Sequence, residues 1–177
     1  TRGEQGEPAN GVLKQGERLG ERREKEARAA AQILDVSRIE FLPYEDSGMI
    51  HEPANRNPAC FWQADVEEAA GKLAAILIDV KADVLTIYDE HGGYGHPDHI
   101  QVHRVGHRAA EMAGVLRVFE STMNRNQIVE QIDYFRENDE NGETVDLEID
   151  VGTIGTPENE ITHAVNVEAF ADRKRNA

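Results

Sequence analysis

Apolar residues return at helical spacing early in the chain. Between Glu17 and Leu34, in "ERLGERREKEARAAAQIL", Leu19, Ala27, Ala30, Ile33 and Leu34 fall near one stripe while charges fill the remaining positions, which predicts a surface helix of strong helix formers. "SRIEFLPY" then predicts a short strand over Arg38 to Leu42, stopped by Pro43, and "EDSGM" the loop beyond it. The pattern repeats downstream. Val66, Ala69, Leu73, Ile76 and Leu77 mark the buried face of a second helix, and "ADVLTIYD" is a β-branched apolar run of the kind covered on both faces, so a parallel sheet is expected.

After this strand the chain looks helical from about Ile100 to Ala113, closed by Gly114. "VLRVFEST" predicts a strand, "NQIVEQIDYFREN" a helix, "DENGET" an acidic turn, and "GTPENEITHAVNV" a loop leading to a strand. "EAFADRKRNA" begins a helix that stops after about two turns. With 177 residues, one domain spanning 1–177 is expected. Its opening, "TRGEQGEPANG", has no initiator Met and no preceding strand; it reads as a loop cut from whatever it followed, and both ends are expected to be trimmed.

Charge narrows the partners. Asp and Glu number 34 against 19 Lys and Arg, a net charge of −15, so the surface repels nucleic-acid phosphates and anionic membranes, and neither is expected as a partner. A single cysteine, Cys60, forbids an internal disulfide, which fits a reducing compartment and makes the cytoplasm the expected location. No apolar run approaches the roughly 20 residues of a membrane span, and no signal-peptide pattern opens the chain. Oligomeric state is not legible, and a homo-oligomer stays open.

The chemistry concentrates in "YDEHGGYGHPDHIQVH", Tyr88 to His103, which holds four histidines, three glycines and three acidic residues. It lies where a strand's carboxyl end turns into a helix, the edge at which open α/β sheets form their ligand crevices. Gly92, Gly93 and Gly95 allow a close backbone approach around Tyr94, while Pro97 and Asp98 suit a helix's first turn. His96 and His99, three apart, share a helical face, and imidazole suits Zn²⁺, whose catalytic sites take about three protein ligands and an open position. His99, His103 and His107 also run at i, i+4, i+8, but "HIQVH" has Ile where a zincin carries its Glu base, so His103 and His107 are expected to be packing or solvent-exposed helix positions. His91 is undecided. "GGYGHPDH" matches neither dinucleotide nor Walker loops, and Asp98 at an anion site would repel phosphate.

The extended stretch "YDEHGGYGHPDHIQVHR" resembles the second signature of the LmbE-like, or PIG-L, N-acetylglucosaminyl deacetylases, most of all the actinobacterial branch that makes mycothiol. "TRGEQGE" resembles that branch's loop after its second strand, "REKEARAAAQIL" its R-x-x-E helix, "EDSGM" its acidic loop and "THAVNVEAFADRKR" the start of its last helix. The resemblance implies an α/β, Rossmann-like three-layer fold with a mostly parallel sheet lacking its first strands. It implies zinc, or another divalent metal, and hydrolysis of an N-acetyl amide on a small-molecule N-acetylglucosaminide to a free amine and acetate. By the same resemblance His99 is a metal ligand. His96 stabilises the oxyanion or protonates the leaving amine, Asp98 is hydrogen-bonded to it, and Tyr94 swings its phenol toward the scissile carbonyl. Glu7, Arg23 and Asp46 match positions that bind sugar and inositol hydroxyls. The family's other two zinc ligands and its general base lie on an "HPDDE" motif that the 177 residues do not contain. Two other readings follow: a metal-free carbohydrate-binding remnant of the same fold, and a mycothiol-conjugate amidase.

Overall fold

The structure is a computed structural model that describes residues 1–138 and 151–177; the predicted acidic turn "DENGET" lies outside the described residues. Helix α1 (Leu19–Leu34) follows the predicted stripe and starts two residues later than the pattern suggests. Asp35 ends it in the left-handed region at φ 62°, and the Val36 N–H donates to Ala31 O at 2.8 Å, satisfying one of the last carbonyls. Another is met from the chain's far end. In the short helix Ala171–Arg175, Arg173 donates from Nε and Nη2 to Ile33 O at 3.2 and 3.0 Å.

The predicted strand at Arg38 to Leu42 forms no ladder among the described residues. A strand depends on hydrogen bonds from a neighbour, and this run instead satisfies its apolar content through side chains: Phe41 lies under the guanidinium groups of Arg2 and Arg28, 4.9 and 5.6 Å from its ring centre. A single parallel bridge, Glu45 to Cys60, follows it. These elements belong to one compact unit, Thr1–Asp65 with Ala164–Ala177.

A second unit, Val66–His163, holds the sheet. Helix α2 (Val66–Asp79) buries Ala69, Ala70, Ala74 and Leu77. Strand β1 (Val84–Tyr88) leads through one distorted turn, α3 (Gly92–Gly95), into helix α4 (Pro97–Ala113), and strand β2 (Arg117–Ser121) returns parallel to β1, with Val84 opposite Arg117 and Tyr88 opposite Ser121. The expected parallel α/β arrangement is therefore present. Coverage of β1 is one-sided: Ile87 is buried and Leu85 half-buried, while Val84, Thr86 and Tyr88 are exposed. α4 buries Val105, Gly106, Ala109 and Ala110 and packs on both α2 and β1, and its small residues let three backbones come close. A Cβ at Gly106 would sit 2.5 Å from Ile87 Cγ2, and that β-branched side chain has little rotamer freedom. Gly106→Ala is accordingly expected to lower stability by about 1–3 kcal/mol, read from urea midpoints at unchanged slope.

Gly114, at φ 71°, caps α4 as the sequence suggests, and helix α5 (Arg125–Glu137) is present with Asn124 accepting from the Asn126 N–H at 3.0 Å. The strand expected after "GTPENEITHAVNV" does not form among the described residues: Glu158–Glu160 is a 3-10 turn, and only Thr156 makes a bridge, to Asn124. No helix of the described residues is long and apolar enough to cross a membrane.

Candidate functional site

At the carboxyl end of β1 the chain needs a sharp turn, and Gly92 supplies it at φ 62°. Asp89 holds that turn from below. Its carboxylate is buried, 3% exposed, with Oδ1 accepting from the Gly93 N–H at 2.7 Å and Oδ2 from the Thr122 hydroxyl at 2.5 Å. Because Thr122 gives its proton to Asp89, the hydroxyl of Thr156, 2.8 Å away, donates to Thr122. A segment beyond α5 closes the ring. The Gly155 N–H donates to Gly93 O at 3.0 Å, and Arg125 donates to Ile154 O and Gly155 O at 2.9 and 2.7 Å. An open notch lined by Asp89, His91, Glu120, Arg125 and Gly155 lies beside this edge, where a crevice is expected.

On this support stand the three residues that the sequence singles out by local pattern. Tyr94 projects from α3 with 51% exposure, its ring 5.3 Å from that of His99 and 6.3 Å from that of His96. His96 is the N-cap of α4, where its Nδ1 accepts from the Asp98 main-chain N–H at 3.1 Å. The lone pair of a neutral His96 therefore sits on Nδ1 and its proton on Nε2. This contact runs through the Asp98 main chain; the Asp98 side chain is itself buried in the first turn of α4.

His99 follows one turn into α4, and its ring is held on two sides. Its Nδ1 lies 3.1 Å from Gly92 O, and a carbonyl only accepts, so Nδ1 carries the proton and Nε2 keeps the lone pair. The Tyr88 ring stacks on it at 3.9 Å and 6°. Burial, with a smaller contribution from Tyr94, pushes the Tyr88 phenol above its ordinary range, so at neutral pH it is a neutral platform and not a base. An imidazole whose other nitrogen donates to a main-chain carbonyl is the usual arrangement of a metal-bound histidine. Zinc fits His99 on that ground. One imidazole is not a complete set, however, and the motif on which the family carries the remaining ligands is not in the sequence.

The three residues matched to sugar binding lie in the other unit. Asp46 is 6% exposed, and its carboxylate accepts from the Gln5 N–H at 3.2 Å and the Gly48 N–H at 2.9 Å. Arg23 is exposed and donates to Gly3 O at 3.0 Å, and Glu7 is exposed on the same opening loop. Glu4, which sequence reasoning passed over, accepts from the Asp46 N–H at 3.1 Å and so ties the opening loop to the acidic one. Asp89 and Tyr88 were also passed over. The available signal was their place at a strand's carboxyl end, directly before the glycines.

Asp89 has no spare donor to offer either neighbour, so Asp89→Asn must turn an amide N–H toward Gly93 or Thr122. Toward Gly93 that leaves two donors facing each other, and toward Thr122 it makes the hydroxyl accept, reverses its bond with Thr156 and loses the charge-assisted pair, at an expected cost of about 1–3 kcal/mol. Chemical denaturation measures it.

Comparison with known proteins gives a consistent picture. The PIG-L family, described as GlcNAc-PI de-N-acetylase, matches residues 1–110. A 1D-myo-inositol 2-acetamido-2-deoxy-alpha-D-glucopyranoside deacetylase of Acidothermus cellulolyticus is 39% identical over 165 residues, which cover 89% of this chain and 56% of that protein. Its counterpart in Thermobifida fusca is 37% identical over 172 residues, 90% of this chain and 60% of that protein. A third, from Nocardiopsis dassonvillei, is 53% identical over 100 residues, 54% of this chain and 36% of that protein. The chain thus spans less than two thirds of the length of these curated relatives. The family match covers the histidine turn together with the Glu7, Arg23 and Asp46 region, and on this ground the chain belongs to the PIG-L, GlcNAc-PI de-N-acetylase family.

Proposed function

We propose that this chain is the larger part of a zinc-dependent hydrolase that removes the acetyl group from an N-acetylglucosaminide, with a 2-acetamido-glucosyl inositol as the substrate class. The observation that carries the reading is the His99 ring, whose Nδ1–H is committed to Gly92 O while Nε2 retains a lone pair beside His96 and Tyr94. The relatives' printed activity supports the substrate class.

His99 Nε2 would be this chain's ligand to the ion, and a segment bearing "HPDDE" would complete the set. When bound, zinc supplies a Lewis acid for the amide carbonyl and lowers the pKa of a coordinated water toward about 7. The rest falls to side chains. His96, with its proton on Nε2, donates to the developing oxyanion, and a protonated His96 can pass a proton to the departing amine nitrogen. Tyr94, on its exposed turn, adds a second donor to the same oxygen. Each such donor is worth about 3–4 kcal/mol of barrier. Asp98 fixes the orientation of His96 through its main-chain N–H. Glu7, Arg23 and Asp46 bind hydroxyls of the sugar and the inositol; Glu7 and Arg23 are exposed, and Asp46 holds the opening loop that carries Glu7.

The test is acetate release. The chain, joined to a segment bearing "HPDDE" and loaded with zinc, is expected to release acetate and free amine in equal amounts from an N-acetylglucosaminyl inositol. Zinc-loaded protein that binds the sugar and releases no acetate would leave only a carbohydrate-binding role.

A further inference from the structure

Behind the His99 stack a second group of ligand-type side chains converges. His103 and His107 stand one turn apart on α4, with ring centres 4.7 Å apart, and Glu120 reaches them from β2. Glu120 Oε1 lies 2.7 Å from His107 Nε2 and 3.4 Å from His103 Nδ1, and one ligand atom from each of the three lies within 4.8 Å of the others. The sequence sets the two histidines at i, i+4 but gives no hint of Glu120, because the carboxylate arrives only through the parallel pairing of β2 with β1.

We infer that His103, His107 and Glu120 form a second binding site for a borderline divalent transition metal of the zinc class, separate from the site at His99. The donor set carries the argument. Two imidazoles and one carboxylate suit Zn²⁺, Ni²⁺ or Cu²⁺, whereas Ca²⁺ and Mg²⁺ take oxygen ligands. With metal–ligand distances of about 2.0–2.2 Å, tetrahedral ligands stand roughly 3.4 Å apart. The His103–Glu120 separation already has that value. His107 must open by less than 1 Å, and its side chain is exposed enough to turn. The nitrogen of His103 at that spacing is Nδ1, which also lies 3.2 Å from Tyr88 O; binding through Nδ1 moves the ring's proton to Nε2 and gives up that contact.

Binding would replace the hydrogen bond between His107 and Glu120. In neutral His107 the proton on Nε2 moves to Nδ1, Nε2 and Oε1 turn to the ion, and solvent completes the coordination. The ion then ties α4 to β2 directly behind Tyr88, whose ring supports His99.

The test uses the tag-free chain and Zn²⁺ itself. Calorimetric titration of the His99→Ala variant is expected to retain one equivalent of Zn²⁺. His107→Ala and Glu120→Gln are each expected to weaken that equivalent at least tenfold, with far-ultraviolet circular dichroism unchanged, and to abolish the rise in thermal midpoint that Zn²⁺ produces in the parent. Since both side chains are partly exposed, neither change should unfold the chain, and the glutamine variant preserves the shape of Glu120. Zn²⁺ binding unaltered in both variants, or lost entirely in His99→Ala, would overturn the proposal and leave the group a hydrogen-bonded surface cluster. Equal competition by Mg²⁺ would overturn it as well.

Discussion

Replacing His99 by alanine is expected to abolish zinc uptake at the proposed catalytic position and, with it, acetate release. Loss of an outer partner to a metal ligand commonly lowers affinity or activity about 10–100-fold, and loss of the ligand itself should exceed that range. His96→Gln should behave differently. Glutamine keeps a donor near the same place but cannot carry an imidazole proton, so zinc content should be unchanged while turnover falls by about 10²–10⁴, the usual contribution of a general acid. Metal analysis beside steady-state kinetics separates the two, and equal zinc loss in both variants would refute the division of roles. Restoration of His96→Gln activity without any change in metal content, on adding imidazole, would support it.

Gly92→Ala is the second change expected to act strongly, although residue 92 touches no substrate in this account. A Cβ there would lie 2.8 Å from both His99 Cβ and the main-chain nitrogen of Ile100, and neither atom is the end of a flexible side chain. The residue also sits at φ 62°, where a non-glycine residue costs about 1–2 kcal/mol before any collision. Together with overpacking of about 1–3 kcal/mol, a loss of roughly 2–5 kcal/mol follows. The functional consequence is more specific than the loss of stability. Gly92 O is the acceptor that holds the Nδ1–H of His99, so the turn cannot shift without freeing that ring. Zinc affinity should therefore fall along with stability, and a compensating stabiliser elsewhere in α4 should restore the thermal midpoint without restoring the affinity. Recovery of both together would show that the glycine serves only the fold.

The contrast between these residues and those the sequence did not reveal follows from how far each contact reaches. His96, Pro97, Asp98 and His99 could be placed on one helical turn because a cap, a proline at the first position and three-residue spacing are local instructions, and the structure starts α4 there. Gly114 was legible for the same reason. Asp89 was not, since its partners Gly93, Thr122 and Thr156 come together only after β1 and β2 pair and the segment beyond α5 returns. Asp46 shows the same difficulty. Its two main-chain donors, at residues 5 and 48, lie on either side of α1 in sequence.

The strand expected at Arg38 to Leu42 failed on the opposite count. Its composition suits a strand, but composition supplies no neighbour, and with no ladder among the described residues Phe41 packs against arginine side chains instead. His103 and His107 were read as packing or exposed positions from helical spacing. Their exposure agrees with that reading, but Glu120 beside them lay beyond the reach of a helix-only pattern.

The central claim is that His99 keeps its proton on Nδ1 and turns Nε2 toward the ion. Long-range ¹H–¹⁵N correlation of the imidazole nitrogens, recorded during zinc titration on the chain joined to a segment bearing "HPDDE" in the His103→Gln, His107→Gln background, tests it most directly. The account predicts a protonated Nδ1 before zinc and a displaced Nε2 resonance after it, with Nδ1 unmoved. A ring carrying its proton on Nε2, or an Nε2 resonance that zinc leaves where it was, would contradict the account.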